Sequence, residues 1–496
     1  MSAVQEDVKS SVGNDLPDKE VLQDVEASTS TASGDPEPLT GLRLAAVFTV
    51  LCLAVFLVAL DNTIIATAIP RITDLFKALD DVGWYGSSYL LTTCMFQLVF
   101  GKLYGYFPIK LVFLTAIIIF EIGSAVCGAA PTSMAFIIGR AIAGLGAQPF
   151  SSLSKVSSFY INLPIGAVVV VVLLIFLHLP TTVHTETSSS KTLLQHMDPL
   201  GIITFLPAIV CLLLALQWGG TTYAWSNARI IILFILAGFL VIIFTFIQLK
   251  RQENAMVPPR IIRMPAILFS SLFMALFAGA YFAIVYYLPI WFQAIKGASA
   301  VNSGIMCLPL MLSMVIFSFV TGGGVTATGT SVPFFHIAVV LSTIGAGLTT
   351  TFEVDTPHPK WIGYQVILGA GVGMGIQLPI IAAQAALSST DIPVGTAIVT
   401  FCQTFGGAIF VSVSQALFAN RLRTGILRAV PGVSPSIVRE IGATNLEDVI
   451  DHQHMSAAKK AYNDALVQAW YLAVALFAMA FLGAAGMSLR RRKSAT

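Results

Sequence analysis

Apolar runs of about twenty residues recur along the chain from Leu44 to Leu489, separated by short polar or Gly/Pro-bearing stretches. Each run is long enough to cross the ~30 Å hydrocarbon core of a bilayer as a helix. A window of about 19 residues marks thirteen spans: 44–66, 84–104, 111–130, 134–150, 160–179, 201–219, 229–249, 266–287, 304–325, 333–352, 362–385, 394–416 and 468–488. The pattern predicts an all-α polytopic membrane protein. Composition agrees: 56% of the 496 residues are hydrophobic and 10% charged, against roughly 25% charged in a soluble domain.

Charge then sets topology. Residues 1–43 hold nine acids and three bases and no apolar signal-peptide core, and are read as a disordered acidic cytoplasmic tail. The remainder carries 24 bases against 16 acids, spread over short loops; that excess orients helices and does not point to nucleic acid. Working back from Arg490, Arg491, Arg492 and Lys493, which belong inside, the loop 250–265 with Lys250, Arg251, Arg260 and Arg263 also lands inside, so helix 160–179 must start outside. Working forward from an inside N-terminus puts Lys102 and Lys110 inside and ends 134–150 inside as well. The two walks collide between Gln148 and Phe159, a stretch too short and polar to span. Either a crossing is lost, or the N-terminus is outside, or a marked span does not cross. We read a lost crossing. The weakest span is 134–150, 17 residues long and carrying Arg140.

An ionisable side chain inside hydrocarbon costs about 2.5–3.5 kcal/mol on insertion scales and is a functional candidate by default. Asp61, Glu121 and Arg140 qualify. The short turn Ala130–Ser133 brings Glu121 and Arg140 within one or two helical turns of the same depth, where they can pair or share a proton; the competing role for each is a static ion pair that fixes packing. Gln97, Gln377 and Gln403 offer hydrogen bonds near mid-membrane and are the candidate cargo contacts, with helix bridging as the alternative. Asn62, Trp291 and Gln293 read as interfacial anchors. The six cysteines all fall in apolar runs, without a CxxC pair, which predicts neither a disulfide framework nor a zinc site. Gly369-Ala370-Gly371-Val372-Gly373-Met374-Gly375 misses the GxGxxG spacing and predicts close helix packing. Asp451-His452-Gln453-His454 falls in the polar segment 418–467 and reads as solvated loop, with short helices expected at Ser434–Ile441 and Asn445–Lys460. No GxxxxGK[ST] occurs, so uphill transport would draw on an ion gradient rather than ATP, with no cofactor. No His/Asp/Glu cluster converges at one membrane face, which argues against an enzyme.

Three segments carry a resemblance. Leu60-Asp61-Asn62-Thr63-Ile64-Ile65-Ala66-Thr67-Ala68-Ile69-Pro70, Gly139-Arg140-Ala141-Ile142-Ala143-Gly144-Leu145-Gly146 and Phe159-Tyr160-Ile161-Asn162-Leu163-Pro164-Ile165-Gly166 resemble the 14-helix drug:proton antiporters of the major facilitator superfamily. Tyr287-Leu288-Pro289-Ile290-Trp291-Phe292-Gln293 and Thr404-Phe405-Gly406-Gly407-Ala408 are similar to its fungal toxin and multidrug efflux branch. The resemblance implies a first bundle at 44–180, two additional helices at 198–250, a second bundle at 264–490 with an external loop at 418–467, and a basic cytoplasmic tail at 491–496. It assigns Arg140 to proton relay and Asp61 to a conformational motif. Gly101, Lys102 and Lys110 are remnants of the family's loop motif, which here lacks its acid. The family's fifth helix is absent between Gly146 and Phe159, where the charge walks collide. The implied function is export of hydrophobic small molecules by proton antiport and alternating access, from a monomer in the plasma membrane or, alternatively, the vacuolar membrane. A siderophore-like uptake carrier of the same superfamily and a non-transporting product lacking one helix are the rivals.

Overall fold

The structure is a computed structural model, described here for residues 76, 82–146, 198–220, 223–388, 390–430, 450 and 453–494. These residues are helical almost throughout, as a spanning chain must be when hydrocarbon offers backbone N–H and C=O groups no partner. The long helices are α1 Val82–Tyr106, α2 Ile109–Gly128, α3 Ser133–Gly146, α4 Pro199–Trp218, α5 Ala228–Arg251, α6 Pro265–Lys296, α7 Leu308–Thr328, α8 Val332–Thr349, α9 His358–Gly375, α10 Ile392–Ala429 and α11 Met455–Ser494. Among the described residues nine helices are long and apolar enough to cross a membrane, with the shorter apolar α3 beside them. The expected spans 44–66 and 160–179, Asp61, the tail 1–43, the Gln148–Phe159 junction and the helix expected at Ser434–Ile441 lie outside the described residues.

Hydropathy located the helices better than their ends. The span 304–325 is broken at Cys307, where Pro309 opens α7 after a short helix Ala300–Met306. The span 362–385 is likewise broken after Gly375, with Pro379 in the first turn of a short helix Leu378–Gln384. Both ends of the expected loop 418–467 are helix, because α10 continues to Ala429 and α11 starts at Met455. These extensions are amphipathic: Leu422 and Ile426, one turn apart, are buried in the same apolar cluster as Ala458, Tyr462 and Leu466, while Arg421, Arg423 and Arg428 face out. A net-hydropathy window registers the arginines and misses the buried stripe.

α6 runs through the centre of the second bundle, α6–α11, and buries Phe273, Phe277, Tyr287 and Trp291. Phe277 stacks on Phe273 at 4.8 Å and meets Phe477 of α11 edge-on at 5.0 Å. α4 and α5 form a hairpin: α4 lies against α1 and α10, while α5 stays outermost, with Ile235 and Ile242 more than 60% exposed as befits a lipid-facing helix. The glycine stripe of α9 packs as the sequence predicts. A Cβ on Gly369 or Gly373 would strike backbone carbonyls of α7 at Leu310 and Met314, one on Gly371 would strike Ser342 of α8, and one on Gly375 the ring of Phe277. Gly373→Val therefore drives α7 and α9 apart. We expect it to lower stability by about 1–3 kcal/mol, read as a fall in detergent-solubilised melting temperature, whereas Gly347→Ala, with open space at that position, should change little.

Candidate functional site

α1 and α10 run antiparallel and form a seam between the two bundles. Towards the Gly101 end of the seam a Cβ on Gly101 would collide with Cβ of Ala397, so the helices touch backbone to side chain there. One turn towards the midplane, Gln97 Nε2 donates to Thr400 Oγ1 at 2.8 Å, and Thr400 Oγ1 donates in turn to Thr396 O. Gln97 is 6% exposed, and its Oε1 is buried with no hydrogen-bond partner among the described residues. Gln403 follows Thr400 by one turn on α10. Of these two glutamines, Gln97 reaches across the seam. Gln377 does not lie mid-helix as expected; it sits at the break between α9 and Leu378–Gln384, where its carbonyl accepts from Ile381 N.

Towards the Trp84 end the seam opens into a cavity lined by Trp84 and Leu91 of α1, Leu214 and Gln217 of α4, Tyr286 of α6 and Ser412 of α10. Sequence reasoning named none of these residues. Each looks like an ordinary apolar or interfacial side chain until four helices converge on it.

Arg140 is positioned by glycines. Gly139 and Gly146 let α3 lie directly on α2 at Cys127 and Phe120, and Gly144 lets it approach α1 at Tyr89. The guanidinium, 1% exposed, is thereby delivered to α1, where Nε donates to Tyr85 O at 3.2 Å and Cζ lies 4.4 Å from the Tyr89 ring centroid. The α2/α3 register pairs Cys127 with Gly139 and Gly123 with Ala143, setting Glu121 about five residues, or ~7.5 Å at the helical rise, from the level of Arg140. The expected depth match holds. Tyr85 and Tyr89, one turn apart, are the partners that sequence reasoning missed.

The loop-motif remnants are relocated. Gly101 and Lys102 belong to the last turns of α1, where Lys102 is 4% exposed, and Lys110 opens α2. Acid is supplied instead by the additional helices. Asp198, fully buried, caps α4 from a left-handed φ of 50°, accepts from Gly201 N, Gln248 Nε2 and Met256 N, and lies 3.5 Å from Arg251 Nε. Beyond it Arg260 donates to Glu253 and, through both terminal nitrogens at 3.0 and 3.1 Å, to Asp391 at the start of α10. The hydrogen bonds from Arg260, with a further one from Ser388, hold the Asp391 carboxyl below the ordinary carboxylate range despite partial burial. A lowered acid pKa stabilises above the unfolded value, near 3.9, and the benefit is lost only as pH falls through the folded value. Asp391→Asn should therefore lower thermal stability by the same small amount at pH 5 and pH 8, measured by scanning fluorimetry. A loss confined to one of these pH values would mean that Asp391 titrates in the working range.

Comparison with known proteins follows this geometry. The sequence profile of the Major Facilitator Superfamily matches residues 51–157. The chain is 76% identical over 434 residues to the "MFS acetylaranotin efflux transporter ataA" of Aspergillus terreus, covering 88% of this chain and 96% of that one. The chain belongs to the major facilitator superfamily. This superfamily member is also 49% identical over 513 residues to the "MFS-type efflux pump MFS1" of Trichophyton rubrum, covering 94% and 96% of the two chains, and 44% identical over 476 residues to the "Efflux pump roqT" of Penicillium rubens, covering 87% and 88%. It shares its fold with a bacterial homologue of the human lysosomal transporter Spinster in an inward-facing, unoccupied conformation, at TM-score 0.53 and 14% identity over 91% and 98% of the chains. It is a multi-pass membrane protein of a transporter family. The 513 aligned residues exceed this chain's 496 although only 94% of it is covered, so the Trichophyton protein carries internal residues that this chain lacks. The 434 residues aligned with the Aspergillus protein match 88% of this chain one for one.

Proposed function

We propose that the protein exports uncharged, hydrophobic small molecules by alternating access, with protons as the driving ion. The observation that carries this reading is the two-ended seam of α1 and α10, closed by Gly101–Ala397 and Gln97–Thr400 in its inner half and parted by a cavity in its outer half. Rocking about such a seam exposes a central site to one side at a time. Arg140 with Tyr85 and Tyr89, Glu121 one to two turns away, and Asp61 form the coupling set; Gln97 and Gln403 contact cargo. Gln377 is the weaker of the three glutamines on this reading, since it ends a helix instead of facing the seam. The direction of export is supported by the relatives' names, and the 76% relative makes acetylaranotin the first cargo to try. A monomer in the plasma membrane, or alternatively the vacuolar membrane, working without ATP, a cofactor or nucleic acid, completes the proposal. Inside-out vesicles bearing the chain and given an inward-acidic gradient should accumulate acetylaranotin, and a protonophore should stop them. Gradient-dependent accumulation only in right-side-out vesicles would make it an uptake carrier.

One observation favours a second reading, a non-transporting product. This chain lacks internal residues relative to the Trichophyton pump, and on this reading they belong to the crossing that the charge walks find missing between Gly146 and Phe159. Sequencing the transcript across those codons decides it. About 60 additional codons for an apolar Gly/Pro-bearing helix would restore an even topology and remove the second reading; an intact junction together with inert vesicles would establish it.

A further inference from the structure

We propose that α4, the first of the two additional helices, forms a wall of the cargo site and selects uncharged, ring-bearing molecules that carry a hydrogen-bonding group. The proposal rests on the export reading and specifies the ligand class of its outer cavity. Of the four helices that meet there, α1, α6 and α10 belong to the two bundles, and only α4 comes from outside them. α4 is held at both ends. Asp198 fixes its start through Gln248 and the Met256 N–H, and Trp218 meets Trp84 of α1 edge-on at 6.1 Å and Tyr223 edge-on at 6.0 Å near its finish. Between these anchors Leu213, Leu214 and Gln217 line the cavity.

The lining states the ligand chemistry. Among the described residues no charged side chain borders the cavity, and there a charged ligand would lose its hydration without compensation. Trp84 and Tyr286 offer ring faces and edges, and the leucines offer apolar area. Among the described lining residues the hydrogen-bonding aliphatic side chains are Gln217, Ser412 and Gln415. Ser412 Oγ already donates to Ala408 O at 2.9 Å, which leaves its lone pairs as acceptors, and the glutamine amides supply donors.

Benzophenone, uncharged and two-ringed with one carbonyl acceptor, is a direct probe. The full chain in lipid nanodiscs is photolabelled at increasing benzophenone concentration and the labelled peptides are mapped by mass spectrometry. The proposal expects saturable labelling of peptides containing Leu91, Leu214 or Val411, above a linear background on the lipid face of α5. Ser412→Trp, which fills the cavity, should reduce the saturable part about tenfold or more. Gln217→Leu, close in volume and able to fold if the tryptophan is not tolerated, should weaken it about three- to tenfold, as loss of one hydrogen bond predicts. Ile235→Ala on the lipid face should leave it unchanged. Background labelling alone, or saturable labelling indifferent to both cavity variants, overturns the proposal. Saturable labelling in a protein that never accumulates cargo in vesicles keeps the site and removes the export reading; proton-driven export that Ser412→Trp leaves intact removes the site alone.

Discussion

Arg140→Ala should abolish gradient-driven export while leaving the chain in the membrane. The substitution removes a cation from a site 1% exposed, together with the hydrogen bond to Tyr85 O and the contact over Tyr89. A hydrogen bond to a charged group contributes about 1.5–3 kcal/mol and a desolvated cation–π contact about 2 kcal/mol. That loss is felt but stays below the ~5–15 kcal/mol that holds a folded protein together, and Gly139, Gly144 and Gly146 still seat α3 on its neighbours. Transport has no such reserve. On the proposed coupling, the cation held between α3 and α1, within two turns of Glu121, is the group that re-pairs when a proton arrives, and alanine offers nothing to re-pair. Arg140→Lys keeps the charge without the planar fork and should retain partial export. Unchanged export by the alanine variant at equal membrane abundance would sink the proton-relay assignment.

The contrast between Arg140 and its partners shows what the sequence could disclose. A lone arginine in an apolar run is conspicuous, because its cost in hydrocarbon demands a reason. Tyr85 and Tyr89 stay silent, since aromatic residues near a span's outer end have an ordinary interfacial use; only the glycine-mediated approach of α3 to α1 turns them into partners. Gln97 was legible as a polar group at depth, yet Thr400 lies 303 residues away and becomes its acceptor solely through the antiparallel seam. Asp198, just outside the span 201–219 that hydropathy marks, owes its burial to Gln248 and Met256 folding back from the far end of the hairpin. Helix ends failed for a different reason. Hydropathy measures the depth of hydrocarbon, whereas α10 and α11 continue as paired amphipathic helices stabilised by Leu422, Ile426 and Tyr462.

Gly101→Val should cost at least about tenfold in export rate by preventing the inner half of the seam from closing. The added branched side chain would occupy the space of the Ala397 methyl and press towards Pro393 O. α1 and α10 must then separate at their cytoplasmic ends, stretching the Gln97–Thr400 hydrogen bond one turn away. A state destabilised by about 1.4 kcal/mol loses a factor of ten in population, and overpacking of a tight contact typically costs ~1–3 kcal/mol. The strain acts on the closed seam and vanishes once the helices part, so the variant should fold and accumulate with its cytoplasmic side open. A cysteine at Thr396, a half-buried residue one position before Ala397 whose hydroxyl oxygen is enclosed, reports this directly: maleimide added from the cytoplasmic face should label Thr396→Cys several-fold faster when Gly101→Val is present. Ala397→Gly clears the methyl that the valine meets, so the double variant Gly101→Val/Ala397→Gly should recover much of the lost export. Recovery of this kind identifies a specific steric contact between two helices that separate during transport. A double variant as inactive as Gly101→Val, with labelling of Thr396→Cys unchanged by either substitution, would show that this seam does not move.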